Sequence, residues 1–271
     1  MKNKFLIFLL LLFFYLNHSN NVLANDFTFN TSGIEIIEDG NIIKATDGTV
    51  ISNKSNISIK AQNFKYIKNL STLNATKGIA KSLDDNLEIK ANKFLYNSDL
   101  SILNAFGNVQ IKDLKENVVI KSENIFYNIN KKIIQSETDS SIKDDQGNTF
   151  TTKNFIYTLN DYLIKIDSAK IIDAEKNVFK IDKAYLNLES NKLIGKDISI
   201  DFNNSSFNQK NEPRVKGVAL SASKEESVIS KGVFTICKKN DTCPPWQLSA
   251  EEIRHNKEKK TIYYKNAWLK L

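Results

Sequence analysis

Ile89-Lys90-Ala91-Asn92-Lys93-Phe94-Leu95-Tyr96 decides the fold. The same eight-residue unit occurs as Ile59-Lys60-Ala61-Gln62-Asn63-Phe64-Lys65-Tyr66, as Ile120-Lys121-Ser122-Glu123-Asn124-Ile125-Phe126-Tyr127 and as Phe150-Thr151-Thr152-Lys153-Asn154-Phe155-Ile156-Tyr157, at intervals of 30, 31 and 30 residues. Degenerate copies follow at residues 179–186, where Ala184 replaces the aromatic, and at 248–255. After the copies come polar turns such as Asn97-Ser98-Asp99, Asn130-Lys131-Lys132 and Glu189-Ser190-Asn191-Lys192. A second alternating apolar run then returns, over 73–80, 102–111, 133–142, 164–171 and 193–200.

Ile, Phe, Tyr, Val and Leu recur at spacing two with polar partners between them, which is the pattern of a half-buried strand. Helix is disfavoured by the β-branched content and by turn residues every eight to twelve positions. Each 30-residue unit therefore reads as two strands and two turns. A unit that small cannot bury its own apolar face, so units must stack. The expectation is an all-β protein of stacked two-strand repeats forming two facing sheets. About eight units from Ile34 to Leu271, at one 4.8 Å rung each, would make a stack roughly 40 Å long. A β-solenoid, a jelly-roll sandwich and a folded-over sheet open along one edge all fit this arithmetic.

Ahead of the repeats, Lys2 and Lys4 precede an apolar run over residues 5–16, and Val22-Leu23-Ala24 supplies a small residue at a cleavage position. This reads as a secretory signal peptide cut after Ala24. As a helix, the apolar run is about 18 Å long, well short of a roughly 30 Å bilayer core. No other segment approaches membrane-helix length, so a soluble extracytoplasmic body is expected. The net charge of the whole chain is +7, with acids interleaved among the bases. Lys238-Lys239, Lys257 and Lys259-Lys260 make only short clusters, which points to a solvated surface and not to nucleic acid.

Reactive chemistry is sparse. No Gly-x-Ser-x-Gly elbow, His-Glu-x-x-His or phosphate-binding glycine loop occurs. His255 lies among charged residues and reads as a surface histidine, while Asp84-Asp85 and Asp144-Asp145 read as turn residues. No catalytic residue and no cofactor are expected. Cys237 and Cys243 with His255 supply at most three ligands, fewer than a structural zinc site requires, so no metal is expected. In an exported chain the two cysteines are disulfide candidates, paired with each other or with cysteines elsewhere.

The repeat Ile-Lys-Ala-x-x-Phe-x-Tyr, with a following strand such as Asn104-Ala105-Phe106-Gly107-Asn108-Val109-Gln110-Ile111, resembles the OstA-type domain shared by the lipopolysaccharide-transport proteins LptA, LptC and the N-terminal part of LptD. Four later segments are Asn211-Glu212-Pro213-Arg214-Val215-Lys216-Gly217, Ser230-Lys231-Gly232-Val233-Phe234-Thr235-Ile236-Cys237, Cys243-Pro244-Pro245-Trp246, and Lys260-Thr261-Ile262-Tyr263-Tyr264-Lys265-Asn266-Ala267-Trp268-Leu269-Lys270-Leu271. In that order they resemble the part of LptD that leads into its outer-membrane barrel. The resemblance divides the chain into a signal peptide (1–24), OstA-like jelly-roll repeats (25–205) and a continuation of the β stack with the Cys-Pro-Pro-Trp segment (206–271), stopping before a barrel.

The resemblance implies a β-jelly-roll, or β-taco, with an open groove that shields lipopolysaccharide acyl chains in the periplasm, in association with the outer membrane. Groove-lining candidates are Ile59, Phe64, Tyr66, Ile89, Phe94, Tyr96, Ile120, Ile125, Tyr127, Phe155 and Tyr157; the competing reading is that they fill a closed core. It further implies β-augmentation with an LptA-like bridge protein at the first strand, through Ile34, Ile36, Ile42 and Ile43, and an LptE-like lipoprotein partner only if a barrel is supplied. The rival function is a periplasmic or surface β-solenoid that binds or cleaves polysaccharide.

Overall fold

The computed structural model describes residues 20–24, 26–203, 211–238 and 246–271. Its strands are β1 (Asn20–Ala24), β2 (Phe27–Ile37), β3 (Ile42–Ser52), β4 (Ile57–Ile67), β5 (Thr72–Ser82), β6 (Leu87–Asn97), β7 (Ile102–Asp113), β8 (Val118–Asn128), β9 (Ile133–Ser136) and β10 (Ser140–Lys143). They continue as β11 (Thr149–Thr152), β12 (Asn154–Thr158), β13 (Leu163–Ile172), β14 (Val178–Asn187), β15 (Lys192–Asp201), β16 (Arg214–Ala222), β17 (Glu226–Thr235), β18 (Gln247–Asn256) and β19 (Thr261–Lys270). All belong to one 19-stranded antiparallel sheet in which successive long strands pair. In the middle, β9 with β10 and β11 with β12 are the halves of two interrupted strands, joined to β8 on one side and β13 on the other.

The expected strands and turns are present, but the two facing layers arise differently. In β6, Leu87, Ile89 and Ala91 are buried, and then the inward phase slips by one so that Phe94 and Tyr96 are buried. β4 and β8 slip at the equivalent place. On a straight strand such a slip would send the two halves to opposite faces. Here both halves join one hydrophobic core, so each strand must bend where the phase slips. The single sheet is thereby folded over along a crease crossing its strands, and each strand contributes to both layers. Of the three architectures the repeat allows, this is the folded-over sheet. Because the two strands of a repeat lie side by side, each repeat advances about 9.6 Å instead of 4.8 Å.

Backbone chemistry at the crease explains the bend. In every second long strand a residue there adopts positive φ: Asp47, Lys77 and Asn108 in β3, β5 and β7, then Ser168, Asp197, Lys231 and Asn266 in β13, β15, β17 and β19. A left-handed residue inside a strand acts as a bulge and turns the chain. Gly48 and Gly78 follow the first two because the bend presses them onto the preceding strand. A Cβ at Gly48 would lie 2.3 Å from the Asn30 carbonyl oxygen, and one at Gly78 would lie 2.4 Å from that of Lys60. At the hairpin tips the asparagine after the repeat's last apolar residue closes the turn: Asn97, Asn128 and Asn187 side chains accept hydrogen bonds from the amides of Leu100, Lys131 and Ser190 at 2.8–2.9 Å.

Downstream of residue 203 the sheet continues, since β16 pairs with β15 and the later strands follow in turn. Residues 1–19 of the expected signal peptide lie outside the described residues. β1, just ahead of the expected cut, pairs with Phe27–Thr31 of β2.

Candidate functional site

The fold gathers all eleven groove candidates into the interior between the two layers, where each is 0–3% exposed. In this conformation they are a packed core, not the wall of an open trough. The repeat's tyrosines lie against the far layer, and their hydroxyls meet polar groups there. Tyr66 donates to Asp26 at 3.1 Å, Tyr96 shares a 3.1 Å hydrogen bond with Ser52, Tyr127 donates to Asp85, and Tyr157 donates to Asp113 at 2.6 Å. These partners lie 40–44 residues upstream, a repeat and a half away, which is why sequence reading missed them. Asp85, read from sequence as a turn residue, does lie in the turn between β5 and β6, and its 6% exposed side chain is in addition an acceptor that sequence reading missed. Asp144 does close its turn, accepting from the Gln146 and Asn148 amides.

Electrostatics favour the ionised form of Asp26 and Asp85 and the protonated form of Tyr66, Tyr127 and Tyr157. Burial opposes ionisation of Asp26, but hydrogen bonds from Ser98, Lys54 and Tyr66 outweigh it and hold the carboxyl below its ordinary value. Burial likewise opposes ionisation of Asp85, and hydrogen bonds from Lys132, Tyr127 and Ser82 outweigh it. Burial first, and the Asp26 charge second, push the Tyr66 hydroxyl up to about 12. Burial and the neighbouring aspartates also push Tyr127 and Tyr157 upward. These tyrosines thus stay protonated donors to carboxylates, the stronger class of hydrogen bond.

One lip of the folded sheet consists of the turns after β2, β4, β6, β8 and β12; the opposing lip consists of those after β3, β5, β7 and β10. Side chains join the lips. Lys54, paired with Asp26 on its own lip at 3.0 Å, reaches Asp99 across the mouth at 2.8 Å, Ser55 meets Ser101 at 3.1 Å, Lys132 meets Asp85 at 2.6 Å, and Lys115 meets the Tyr162 hydroxyl. Thus the crease side is closed by backbone hydrogen bonds, while the mouth is closed by side chains. The exposed ion pairs among these are individually weak.

The two ends of the interior differ. At the first strands Phe27, Phe29, Tyr66 and Tyr96 pack edge to face or tilted, with Phe27 at 4.9 Å from Tyr66 and 5.7 Å from Tyr96. At the other end, β19 is exposed along its length, and Tyr264 and Ala267 lie exposed beside the buried Ile253 and Ala250 of β18.

The docking candidates separate. Beyond Thr31, the edge of β2 carrying Ile34 and Ile36 has no partner strand among the described residues on the side away from β3. Ile36 is 54% exposed, whereas Ile34 packs against the core. Ile42 and Ile43 correct the expectation: they lie one strand in, on β3, paired with β2 on one side and β4 on the other, and buried. A residue hydrogen-bonded on both sides has no free edge to offer. Cys237 is half-buried, its Sγ 3.8 Å from the Trp246 carbonyl oxygen. Cys243 lies outside the described residues, and so does its pairing. His255 is exposed, and no group of three or more potential metal ligands occurs among the described residues.

No protein-family model and no curated protein matches this chain. Among solved structures, one similar to it is LptH, the LptA-homologous periplasmic component of the conserved lipopolysaccharide transport device from Pseudomonas aeruginosa. It is 11% identical, with a TM-score of 0.37, over 42% of this chain and 83% of LptH. Likeness at that level establishes neither shared family nor shared activity.

Proposed function

We propose that this protein is a non-enzymatic periplasmic carrier for lipopolysaccharide that shields acyl chains between the two layers of its folded sheet. The observation that carries the proposal is the interior itself: one apolar seam shared by every repeat, closed at the mouth by side chains alone. Exposing each lipid CH2 to water costs about 0.8 kcal/mol, so crossing water unshielded would cost several acyl chains tens of kcal/mol. Parting the lips breaks the ion pairs at the mouth together with the tyrosine hydrogen bonds to Asp26, Ser52, Asp85 and Asp113, and leaves every strand pairing intact. The eleven buried candidates then become the lining, and the sugars stay in solvent.

The repeat and the four ordered segments from Asn211 to Leu271 support the same reading through their resemblance to the OstA-type transport proteins. Docking to an LptA-like bridge protein is proposed at the unpartnered edge of β2, and removal of residues 1–24 would free the rest of that edge. Association with the outer membrane belongs to the same proposal.

A photo-crosslinking amino acid at Phe94 should capture lipopolysaccharide in cells, while one at Lys93, on the outer surface, should not. Mass spectrometry of the same periplasmic material should give a chain beginning at Asn25. Absence of crosslinks at Phe94, Tyr127 and Tyr157 in folded protein with lipid abundant would show that the interior is a permanently closed core.

A further inference from the structure

Lysines scattered through the sequence are placed in line by the strand register. Lys60 pairs across to Ile79, Ile79 to Lys90, Lys90 to Gln110, Gln110 to Lys121 and Lys121 to Ser141. The row continues through Thr151, Lys170, Lys180 and Ser199 to Lys216. It contains no acid, and all six lysines are exposed. No salt bridge among the described residues involves any of them. At the interrupted strands a surface groove of about 1000 Å³ opens along the row, with Lys90, Lys121, Lys153 and Lys170 in its lining and Glu123 and Asp139 near the crease.

We infer that this row and groove form a docking track for an acidic polysaccharide carrying about one charge per disaccharide. Lysines two strands apart are about 9.6 Å from one another, close to the length of a disaccharide. For Lys60, Lys90 and Lys121, and again for Lys180 and Lys216, that spacing exceeds the roughly 8 Å screening length at physiological salt, so each meets its own anionic group, whereas Lys170 and Lys180, on neighbouring strands, meet one together. Hydroxyl and amide side chains between the lysines, Gln110, Ser141 and Thr151 among them, offer hydrogen bonds to sugar hydroxyls. Glu123 and Asp139 accept from such hydroxyls and repel a densely charged chain. Duplex DNA, with one charge per roughly 1.7 Å, fits this flank poorly, and the groove lining contains no aromatic platform for single-stranded bases. A flat anionic membrane would not enter the groove. The inference is independent of lipid carriage, because the track lies on the outer face and the proposed lipid seam on the inner one.

The test measures binding of hyaluronate oligosaccharides to the mature protein at 150 mM salt, beside neutral dextran, a DNA oligonucleotide and phosphatidylglycerol vesicles. The triple variant Lys90→Gln, Lys121→Gln, Lys170→Gln should weaken hyaluronate binding roughly tenfold, as expected for loss of three exposed charge contacts. The variant Lys65→Gln, Lys165→Gln, Lys183→Gln removes the same charge from the other layer and should change binding by less than about twofold, since no track contact is lost. Equal loss in both variants would reduce the effect to net charge and overturn the inference. So would hyaluronate binding no tighter than dextran, or tighter binding of DNA or vesicles with the same lysine dependence. Circular dichroism of both variants separates lost binding from lost fold.

Discussion

Replacing Asp85 by alanine removes the group on which a buried tyrosine, a serine and a lysine from three different segments converge. Tyr127 is fully buried and donates to this carboxylate, Ser82 donates at 3.0 Å, and Lys132 meets it at 2.6 Å. Stranding the tyrosine hydroxyl without an acceptor costs about 1–3 kcal/mol. Lys132 is 36% exposed in its side chain and can return to water, so the lost ion pair adds little. The buried Ser82 hydroxyl also loses its acceptor, at about 1 kcal/mol, so a total near 2–4 kcal/mol is expected. Tyr127→Phe alone removes the donor but leaves Asp85 two partners, costing about 1 kcal/mol. In the double variant the stranded hydroxyl no longer exists. The two costs should therefore fall short of additivity by about 1–2 kcal/mol. Urea denaturation of the four proteins, followed by circular dichroism at constant m-value, measures this coupling. Additive costs would refute the assigned contact. Asp85 also predicts a pH dependence. The fold lowers its pKa, so the folded state prefers the ionised form; that contribution is complete above the unfolded value of about 3.9 and is lost as pH falls through the lowered one. Asp85→Asn should flatten the acid limb of stability below about pH 4, and an unchanged limb would count against the lowered value.

Gly78→Ala should destabilise the protein by about 1–3 kcal/mol, because its Cβ would be driven against the Lys60 carbonyl oxygen and the Ala61 side chain. Gly40→Ala is the contrast: a Cβ there meets nothing within 4 Å, and the cost should come from its positive φ alone, about 1 kcal/mol. Denaturation midpoints that rank the two the other way would oppose the crease geometry. Cys237 and Cys243 should be oxidised in periplasmic material, most simply to each other. Titration of two free thiols under native, non-reducing conditions would oppose that expectation.

Strand content, turn positions and the identity of the core were legible in the sequence because each depends on local alternation, and Ile89, Phe94 and Tyr96 recur with too regular a period to be accidental. The same period determined that the units must stack. How they stack depended on the one-residue phase slip between Ala91 and Phe94, which a straight strand and a folded one accommodate in different ways. Only the tertiary structure decided that the chain bends there, so that one sheet supplies both layers. It also decided that Ile42 and Ile43 sit inside the sheet and that Asp26, Asp85 and Asp113 receive tyrosine hydroxyls from a repeat and a half downstream. The lysines show the same division most simply. In the sequence their charges are interleaved with acids, whereas strand register brings residues about thirty positions apart to within two strands of each other in the same row and segregates Lys60, Lys90 and Lys121 into one line. Local pattern specifies which residues face inward; register and the crease specify which of them meet.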